Sequence, residues 1–419
     1  MADQQHLDIL RQGVAAWNAW RAQHPTIRPD FSGTTLHEMD LFDPRYNVNL
    51  KGANFSHTHF SGMNLGFADL READFREASM GLGTVAHGSS HVMLASADLR
   101  GADLQKVFFM HVDLSSADLR GAKLSGAVLM QVDLREANLS GCNLQGAVFT
   151  SAQLDRADLS HADLTGARLR WTDLDQADLQ QALLCDAQLY VSKLSFANLR
   201  GADLRGCRLA VVYDYDLNLE EAIQRDLIIY YGDSFTFPLT AQTCPITVDE
   251  FEVAQLLDYL LARPSLRKWI TRIHSSLVLL VGVFSGERQQ VGEALKEELR
   301  TRQYTPVTIA VENVGPQRLR EVLAMLAPYV RFLLVDLTNA ASFLQELVRL
   351  VPHLAPVPIQ PLSQAGNNEE SMPEEMKQYP WVLNTYYYMD GRDVLGSAVT
   401  QASLFDEVES MAKLFVRKE

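Results

Sequence analysis

The sequence predicts a right-handed quadrilateral β-helix followed by an α/β domain of flavodoxin-like order with a parallel sheet. Two observations carry that expectation. From Leu94 to Leu209 a large apolar residue returns at every fifth position without a slip, through 24 consecutive units. From Ser276 onward, apolar strand-like runs alternate with amphipathic helical stretches. A period of five matches neither 3.6 nor 2, so no ordinary helix or half-buried strand satisfies the first half. Self-similarity at a fixed period signals a stacked repeat architecture.

Each unit has the same parts. Two residues before the large residue stands a small one, and of those 24 positions 16 are Ala, 4 Val, 2 Cys, 1 Thr and 1 Ser. A polar residue, most often Asp or Asn, separates the pair. If each unit makes one side and a corner, four units close a square coil, with the large residue in the bore and the small one beside it. Coils then stack at strand spacing, about 4.8 Å each. A second block, from Leu50 through Phe55, Phe60, Leu65, Leu70 and Phe75 to Met80, adds seven units. The 31 units give about eight coils and a rod roughly 40 Å long. The motif, Ala-Asp-Leu-x-x as at Ala97-Asp98-Leu99, resembles the pentapeptide-repeat family over most of residues 31–212.

Before the repeats, residues 5–23 read as one amphipathic helix carrying Leu7, Leu10, Val14, Trp17 and Trp20, stopped by Pro25. An open coil exposes unpaired backbone and an apolar bore, so this helix is expected to cap the first coil, within an N-terminal segment 1–30. The β-helix is assigned to 31–212. Between Gly81 and Val92 the beat is lost, and the step from Met80 to Leu94 falls one short of three units. His87 and His91 lie there four apart, but with no third ligand nearby they do not make a zinc site. No metal site is expected.

Composition limits the function classes. At 419 residues, 47% apolar and 21% charged, the chain is an ordinary globular one with room for two or three domains. It lacks an 18-residue apolar window and the basic flank and apolar core of a signal peptide, which points to a cytoplasmic protein without a membrane partner. The four cysteines form no CxxC: Cys142 and Cys207 sit at small interior positions, Cys185 follows a bore residue and Cys244 stands alone. They read as reduced and structural. A net charge of −15 disfavours nucleic acid as an electrostatic partner. Some pentapeptide-repeat proteins resemble DNA in shape and charge and occupy topoisomerases. Here residues 50–209 hold 18 acidic and 15 basic residues, so the resemblance to a DNA mimic is weak.

Four units per coil place residues twenty apart on one side. One side carries Asp98, Asp118, Asn138, Asp158, Asp178 and Asn198, with Arg100, Arg120 and Arg200 following, and reads as solvated. Another carries Phe108, Met110, Val128, Met130, Val148, Trp171, Tyr190 and Val191. Outward apolar residues in coil after coil exceed ordinary surface scatter. They are read as an interface, with a second copy of the chain or with the C-terminal domain, and a dimer or filament is the expected assembly.

Residues 213–273 are read as a connector with a helix. Thr247 is the expected N-cap, with Glu250 three residues on, and Phe251, Val253, Leu256, Leu257, Leu260 and Leu261 follow helical spacing up to Pro264. In 274–419, strands are expected at 277–284, 306–311, 330–337 and 356–361, helices at 289–300, 319–326, 341–350 and 403–416, and a short segment at 381–387. Such alternation means a parallel sheet with helices on both faces, and a ligand crevice at the carboxyl ends of its strands. The loop Gly282-Val283-Phe284-Ser285-Gly286-Glu287-Arg288 has neither a Walker ending nor Rossmann glycine spacing.

The third strand ends Val335-Asp336-Leu337-Thr338-Asn339, and the next helix carries Ser342-Phe343-Leu344-Gln345-Glu346-Leu347. Over the span 274–419 the chain resembles a Toll/interleukin-receptor (TIR) domain. A small polar loop with Ser, then a helix bearing Glu-Leu, is where TIR enzymes place their catalytic glutamate, which the resemblance assigns to Glu346. Glu312-Asn313-Val314-Gly315-Pro316 stands where TIR domains carry a self-association loop. Phe343-Leu344 replaces the usual Trp-Cys, and the Gly-Pro order is inverted. A TIR-like domain behind pentapeptide repeats is similar to an arrangement used in bacterial antiphage defence.

The implied chemistry is cleavage of the nicotinamide–ribose bond of NAD, a substrate here, with no cofactor required. A carboxylate beside the ribose would stabilise the oxocarbenium-like transition state. Phe284 would stack a base, Arg288 would meet a phosphate, and Ser285, Asp336, Thr338 and Ser342 would line the substrate site. The plain alternative is a non-enzymatic scaffold whose α/β domain binds a nucleotide or a partner protein, since fold likeness alone is weak warrant for function. A protein trigger for assembly fits either reading.

Overall fold

The computed structural model describes residues 2–81, 91–210, 212, 216–231, 244–262, 276–338, 341–354, 357–365, 373–388, 405 and 408–412. The chain divides into two compact units, Met1–Gln224 and Arg225–Glu419.

The first unit is the coiled rod that the five-residue beat dictates. Bore residues Leu94, Leu99, Leu104 and Phe109 and their small partners Ala97, Ala102 and Val107 are all at most 1% exposed. From Phe108 on, one side of each coil is a three-residue strand, and successive strands pair in parallel: Phe108–Met110 on Val128–Met130, then Val148–Thr150, Arg168–Arg170, Gln188–Tyr190 and Arg208–Ala210. The other three sides are single-residue bridges, such as Asp98 to Asp118, Asp103 to Lys123 and Asp113 to Asp133. The backbone between coils is fully engaged at these points: Leu99 N donates to Asp118 O at 2.7 Å and Asp118 N to Ala97 O at 2.9 Å. The corner follows two residues after each bore residue, where φ is +57° at Ser96, +67° at Gly101 and +55° at Lys106. A left-handed turn in every unit costs nothing only for glycine, which explains Gly at 101, 121, 126, 141 and 146.

The ladder is longer than the uninterrupted beat. Thr35–His37 pairs with His59–Ser61, and Phe31, Leu36 and Leu41 are buried bore residues five apart. At the far end Asn198 bridges Asn218 and Asp203 bridges Ile223, beyond the expected limit of 212. Both coils are hard to read because their units are irregular: residues 42–47 interrupt one, and Gln224 stands where a large apolar residue would end the other. Phe60 pairs with Met80, and across the break Met80 pairs with Phe109, so the coil that spans the break is the longer of the two. Residues 82–90, including His87, lie outside the described residues, and the His91 ring stacks on His111 at 5.7 Å.

The N-terminal segment is two helices, α1 (Gln4–Leu10) and α2 (Val14–Gln23), where one was expected. Gly13, with φ +97°, breaks them. Trp17 is fully buried, its ring lies 5.6 Å from that of Phe31, and its Nε1 donates to Asn49 O at 2.7 Å. Below it Phe31, Phe55 and Phe75 stack in a column at 5.0 and 4.9 Å.

Outward aspartates are held by arginines two residues on. Asp98 accepts Arg100 Nε at 2.8 Å and Nη2 at 2.7 Å, and Arg120 grips Asp118 in the same way. The paired guanidinium holds both carboxyls below the usual carboxylate range. Cys142 and Cys207 are buried and donate to Leu119 O and Leu184 O at 2.9 and 3.0 Å. Burial pushes the Cys142 thiol up to about 12, consistent with an inert structural role.

Among the described residues, the second unit is built on a sheet that includes seven of its strands. These are β1 (Leu227–Tyr231), β2 (Cys244–Val248), β3 (Leu277–Gly282), β4 (Thr305–Ala310), β5 (Phe332–Asp336), β6 (Ile359–Gln364) and β7 (Tyr386–Tyr388). Their order is β1-β2-β4-β3-β5-β6-β7. The pairs from β4 to β7 are parallel, and β1–β2 and β2–β4 are antiparallel. The helices are α3 (Phe251–Ala262), α4 (Gln289–Thr301), α5 (Pro316–Leu326), α6 (Ala341–Leu350) and α7 (Glu374–Lys377). All six residues of β3 are buried, as expected of a parallel strand covered on both faces. Val278 and Leu280 pack with Val291, Leu295 and Leu299 of α4 and with Phe405 and Val408.

Part of the expected connector joins this sheet. Residues 227–231 and 244–248 form an antiparallel pair within it, with Leu227, Ile229, Ile246 and Val248 buried in alternation. Thr247 therefore lies in β2 rather than capping a helix. Glu250 instead accepts Thr305 Oγ1 at 2.6 Å, and Asp249 holds Arg300 of α4 in a fork at 2.7 and 2.9 Å. No described helix is long and apolar enough to cross a membrane.

Candidate functional site

In the α/β unit, the parallel strands end together and deliver polar side chains to one place. Asp336 ends β5, Gln364 ends β6, Tyr388 ends β7, and Arg288 stands just before α4. Asp336 is fully buried and Arg288 is 8% exposed. The guanidinium of Arg288 donates to both the Asp336 carboxylate and the Tyr388 hydroxyl. Tyr388 Oη donates to Asp336 Oδ2 at 2.9 Å, and Thr338 N donates to Oδ1 at 2.9 Å. Arg288 Nε donates to Val283 O at 3.2 Å and Nη1 to Gln364 Oε1 at 3.4 Å, while Gln364 N donates to Thr338 Oγ1 at 2.9 Å. Burial, then the Asp336 charge, pushes the Tyr388 hydroxyl up to about 12, so it stays a protonated donor.

This closed network sits where a substrate was expected. Arg288, Asp336 and Thr338 come together, but they bond to one another, and an anion could take Arg288 only by displacing Asp336. Phe284 is half-buried against the core. A Cβ on Gly282 would lie 3.1 Å from its ring, and one on Gly292 would lie 3.0 Å from it. The ring thus packs on the two glycines instead of standing free to stack a base. Its N–H donates to Glu312 Oε1 at 2.7 Å. Ser285 is exposed, and the side chain of Ser342 lies outside the described residues. Tyr388 and Gln364 were missed from the sequence, and Glu312 was read there only as part of a self-association loop. Tyr388 and Gln364 share one signal, the position at a strand's carboxyl end.

Glu346 is elsewhere in its contacts. Its carboxylate, 16% exposed, lies 3.2 Å from Arg320 of α5 and 3.1 Å from Arg349 of α6. The Arg320 contact is an ion pair by distance, yet Oε2 finds no hydrogen bond of acceptable angle. No described contact joins Glu346 to the Arg288–Asp336 network. Among the described residues, no group of three His, Cys, Asp or Glu is placed to hold a metal ion.

In the rod, the strand side presents the apolar residues read from the sequence. Phe108, Met110, Val128, Met130 and Val148 are half-buried and stacked in register over three coils. The stripe then changes. Tyr190 is only 4% exposed, and Trp171 and Val191 occupy left-handed corners at φ +51° and +54°. Trp171 is 51% exposed with the Arg170 guanidinium 4.9 Å from its ring. The contiguous apolar surface is therefore the first five residues. A second, polar groove lies between α2 and the coils and is lined by Asn18, Asn47, Asn49, Arg71 and Arg100.

The coil geometry and its Ala-Asp-Leu beat define a pentapeptide-repeat rod. The family described as pentapeptide repeats matches eight copies over residues 47–81, 94–131, 133–170 and 172–209. Residues 47–209 thus carry pentapeptide repeats, and the α/β unit follows them in the sequence. Comparison with the curated proteins found no match. Among solved structures it is similar to full-length QnrB1, a plasmid-mediated fluoroquinolone resistance protein, at 17% identity over 47% of this chain and 93% of that one, with a TM-score of 0.25. It is also similar to HetL, a pentapeptide-repeat protein involved in heterocyst differentiation regulation in Nostoc sp. strain PCC 7120. There the identity is 28% over 50% of this chain and 95% of that one, with a TM-score of 0.18.

Proposed function

We propose that the chain is an assembly-dependent bacterial effector: the rod self-associates, and the α/β unit, read as TIR-like, cleaves NAD in antiphage defence. The observation that carries the reading is the apolar strand side of the rod, five half-buried residues in register. The parallel strand order β4-β3-β5-β6-β7, which is the 2-1-3-4-5 order of flavodoxin-like sheets, supports the TIR-like reading. So does a partly buried glutamate on the helix after β5. In the reaction, the ribose C1′–N bond breaks, nicotinamide leaves with the bonding pair, and water adds at C1′ and releases a proton. Glu346 would stabilise the cationic ribose. Its ion pairs to Arg320 and Arg349, and the closed Arg288–Asp336 network, fit a chain that is silent until assembled.

Nicotinamide release from NAD tests the chemistry. Full-length protein at micromolar concentration is expected to release nicotinamide, and Glu346→Ala to lower the rate at least a hundredfold, which is about 2.7 kcal/mol of transition-state stabilisation. An unchanged rate in Glu346→Ala, or no release from associated protein, overturns the enzymatic reading. The rod's role has its own test. Phe108→Asp with Met130→Asp is expected to shift sedimentation to a smaller species with unchanged circular dichroism, and an identical profile removes the interface.

One observation favours a second reading, a scaffold without catalysis. Arg288, Asp336, Thr338, Gln364 and Tyr388, the polar groups gathered at the strand ends, already bond to one another. NAD that binds calorimetrically without turnover would select it.

A further inference from the structure

The strand side of the rod carries a charge pattern that its other sides lack. Beyond the apolar residues it presents Arg168, Arg170 and Arg208 and no carboxylate. Most rod arginines, among them Arg71, Arg76, Arg100, Arg120, Arg135 and Arg205, lie on the aspartate two residues before them. That fork cannot form at Arg168 or Arg208, because Gly166 and Gly206 stand two residues before. Arg168 is exposed and has no carboxylate partner among the described residues. Arg208 makes no ion pair among them, and its Nε is buried without a hydrogen-bond partner. Through Gln188 the two arginines stack in register, two coils apart.

The next side of the same coils has the opposite excess. Asp155, Asp173 and Asp175 cluster there, and the described ion pairs give them one cation, Lys193 on Asp173. Burial, with the charges of Asp173 and Asp175, holds the Asp155 carboxyl above its ordinary range. A cation brought to this side would relieve that repulsion.

We propose that the strand side of one chain docks on the Asp155–Asp173–Asp175 side of a second copy. Arg168 and Arg208 meet the carboxylates while the Phe108–Val148 stripe is covered by the neighbouring rod. The arginines span two coil steps and the carboxylates one, about 4.8 Å each, so in two rods lying side by side the basic patch and the acidic patch overlap within a coil of each other. The two surfaces differ, so the contact is heterologous. After one contact each chain keeps one unused surface, the acidic side on one and the strand side on the other, and growth continues into a filament or closes as a ring. The proposal rests on the assembly reading above and specifies its geometry.

The test uses full-length protein in sedimentation velocity. Arg168→Glu with Arg208→Glu, and separately Asp155→Lys with Asp175→Lys, are each expected to raise the apparent Kd of association at least tenfold with unchanged circular dichroism. Mixed one to one, the two variants should associate again, since each retains the surface the other has lost and the two reversed surfaces are themselves of opposite charge. Raising salt from low to 0.5 M, where screening is nearly complete within about 5 Å, should dissolve the wild-type assembly. Wild-type association by the arginine variant, or a mixture that stays monomeric, overturns the proposal. If Phe108→Asp alone disperses the assembly while both charge variants assemble normally, the contact is an apolar two-fold one; assembly stands and this geometry fails. Wild-type protein that stays monomeric throughout sinks both. Arg168→Gln with Arg208→Gln, a milder change, should give the same direction if the glutamates impair folding.

Discussion

Asp336→Ala is expected to destabilise the α/β unit by about 3–5 kcal/mol, the usual cost of removing one partner from a buried ion pair. The reason is the residue left behind. Arg288, 8% exposed, would keep its charge in a place built for a carboxylate, and the Thr338 N–H and Tyr388 hydroxyl would lose their acceptor. An unsatisfied buried donor adds about 1–3 kcal/mol where water cannot reach it. The network also ties three segments together, the end of β5, the end of β7 and the loop before α4. Denaturant unfolding followed by circular dichroism gives the change. The informative control is Arg288→Met with Asp336→Leu. If the charges cost as much to bury as they return, the double variant should lie well above Asp336→Ala in stability, a coupling of about 1–3 kcal/mol or more. If Asp336→Ala costs under about 1 kcal/mol, the strand ends are open to water. That outcome would free Arg288 and Asp336 for a ligand and strengthen the catalytic reading over the scaffold one.

How much of this was legible in the sequence differs between the halves. The rod was, because every fifth side chain has one fate. Leu94 through Leu209 have no alternative to the bore, and the small residues at Ala97 or Ala157 have none to the space beside it. What escaped were the Asn218 and Ile223 bridges after the run, while Phe31, Leu36 and Leu41 fell inside the assigned span of 31–212 without being read as units. The pair at 227–231 and 244–248 escaped for another reason. Short apolar runs near Pro238 and Pro245 look like linker, and the pairing with β4 makes them part of the sheet. The site was legible by position but not by state. The carboxyl ends of the strands did gather Arg288, Asp336 and Thr338. Nothing in the sequence says that Tyr388, fifty residues past Thr338, closes the group on itself. Glu346 was placed by likeness to a family. Its partner Arg320 belongs to α5, a different helix, so helical spacing could not connect the two.

Phe55→Ala is expected to cost the rod about 3–5 kcal/mol, with the loss confined to its first coils. The ring is 1% exposed and stacks on Phe31 and Phe75 at interplanar angles of 12° and 16°. The bore is closed on four sides by backbone ladders and cannot collapse around a hole, so the cavity term adds to the lost burial. In a solenoid each coil is stabilised mainly by its neighbours, so damage propagates over one or two coils and not through the whole. On one side of Phe55 the neighbour is Phe31, which is itself the platform for Trp17. Loosening Phe31 therefore loosens the cap: α2 loses its seat, and the Trp17 bond to Asn49 O opens to water. Hydrogen exchange should show this directly, with faster exchange at Phe31, Leu50 and Asn54 and unchanged protection at Leu139 and Leu159. Phe55→Leu, which keeps most of the volume, should recover more than half of the loss. Uniform acceleration along all the coils would mean that the rod unfolds as one cooperative body. In that case the cap could not open without the strand side going with it, and self-association would fail in Phe55→Ala although the residue never touches the interface.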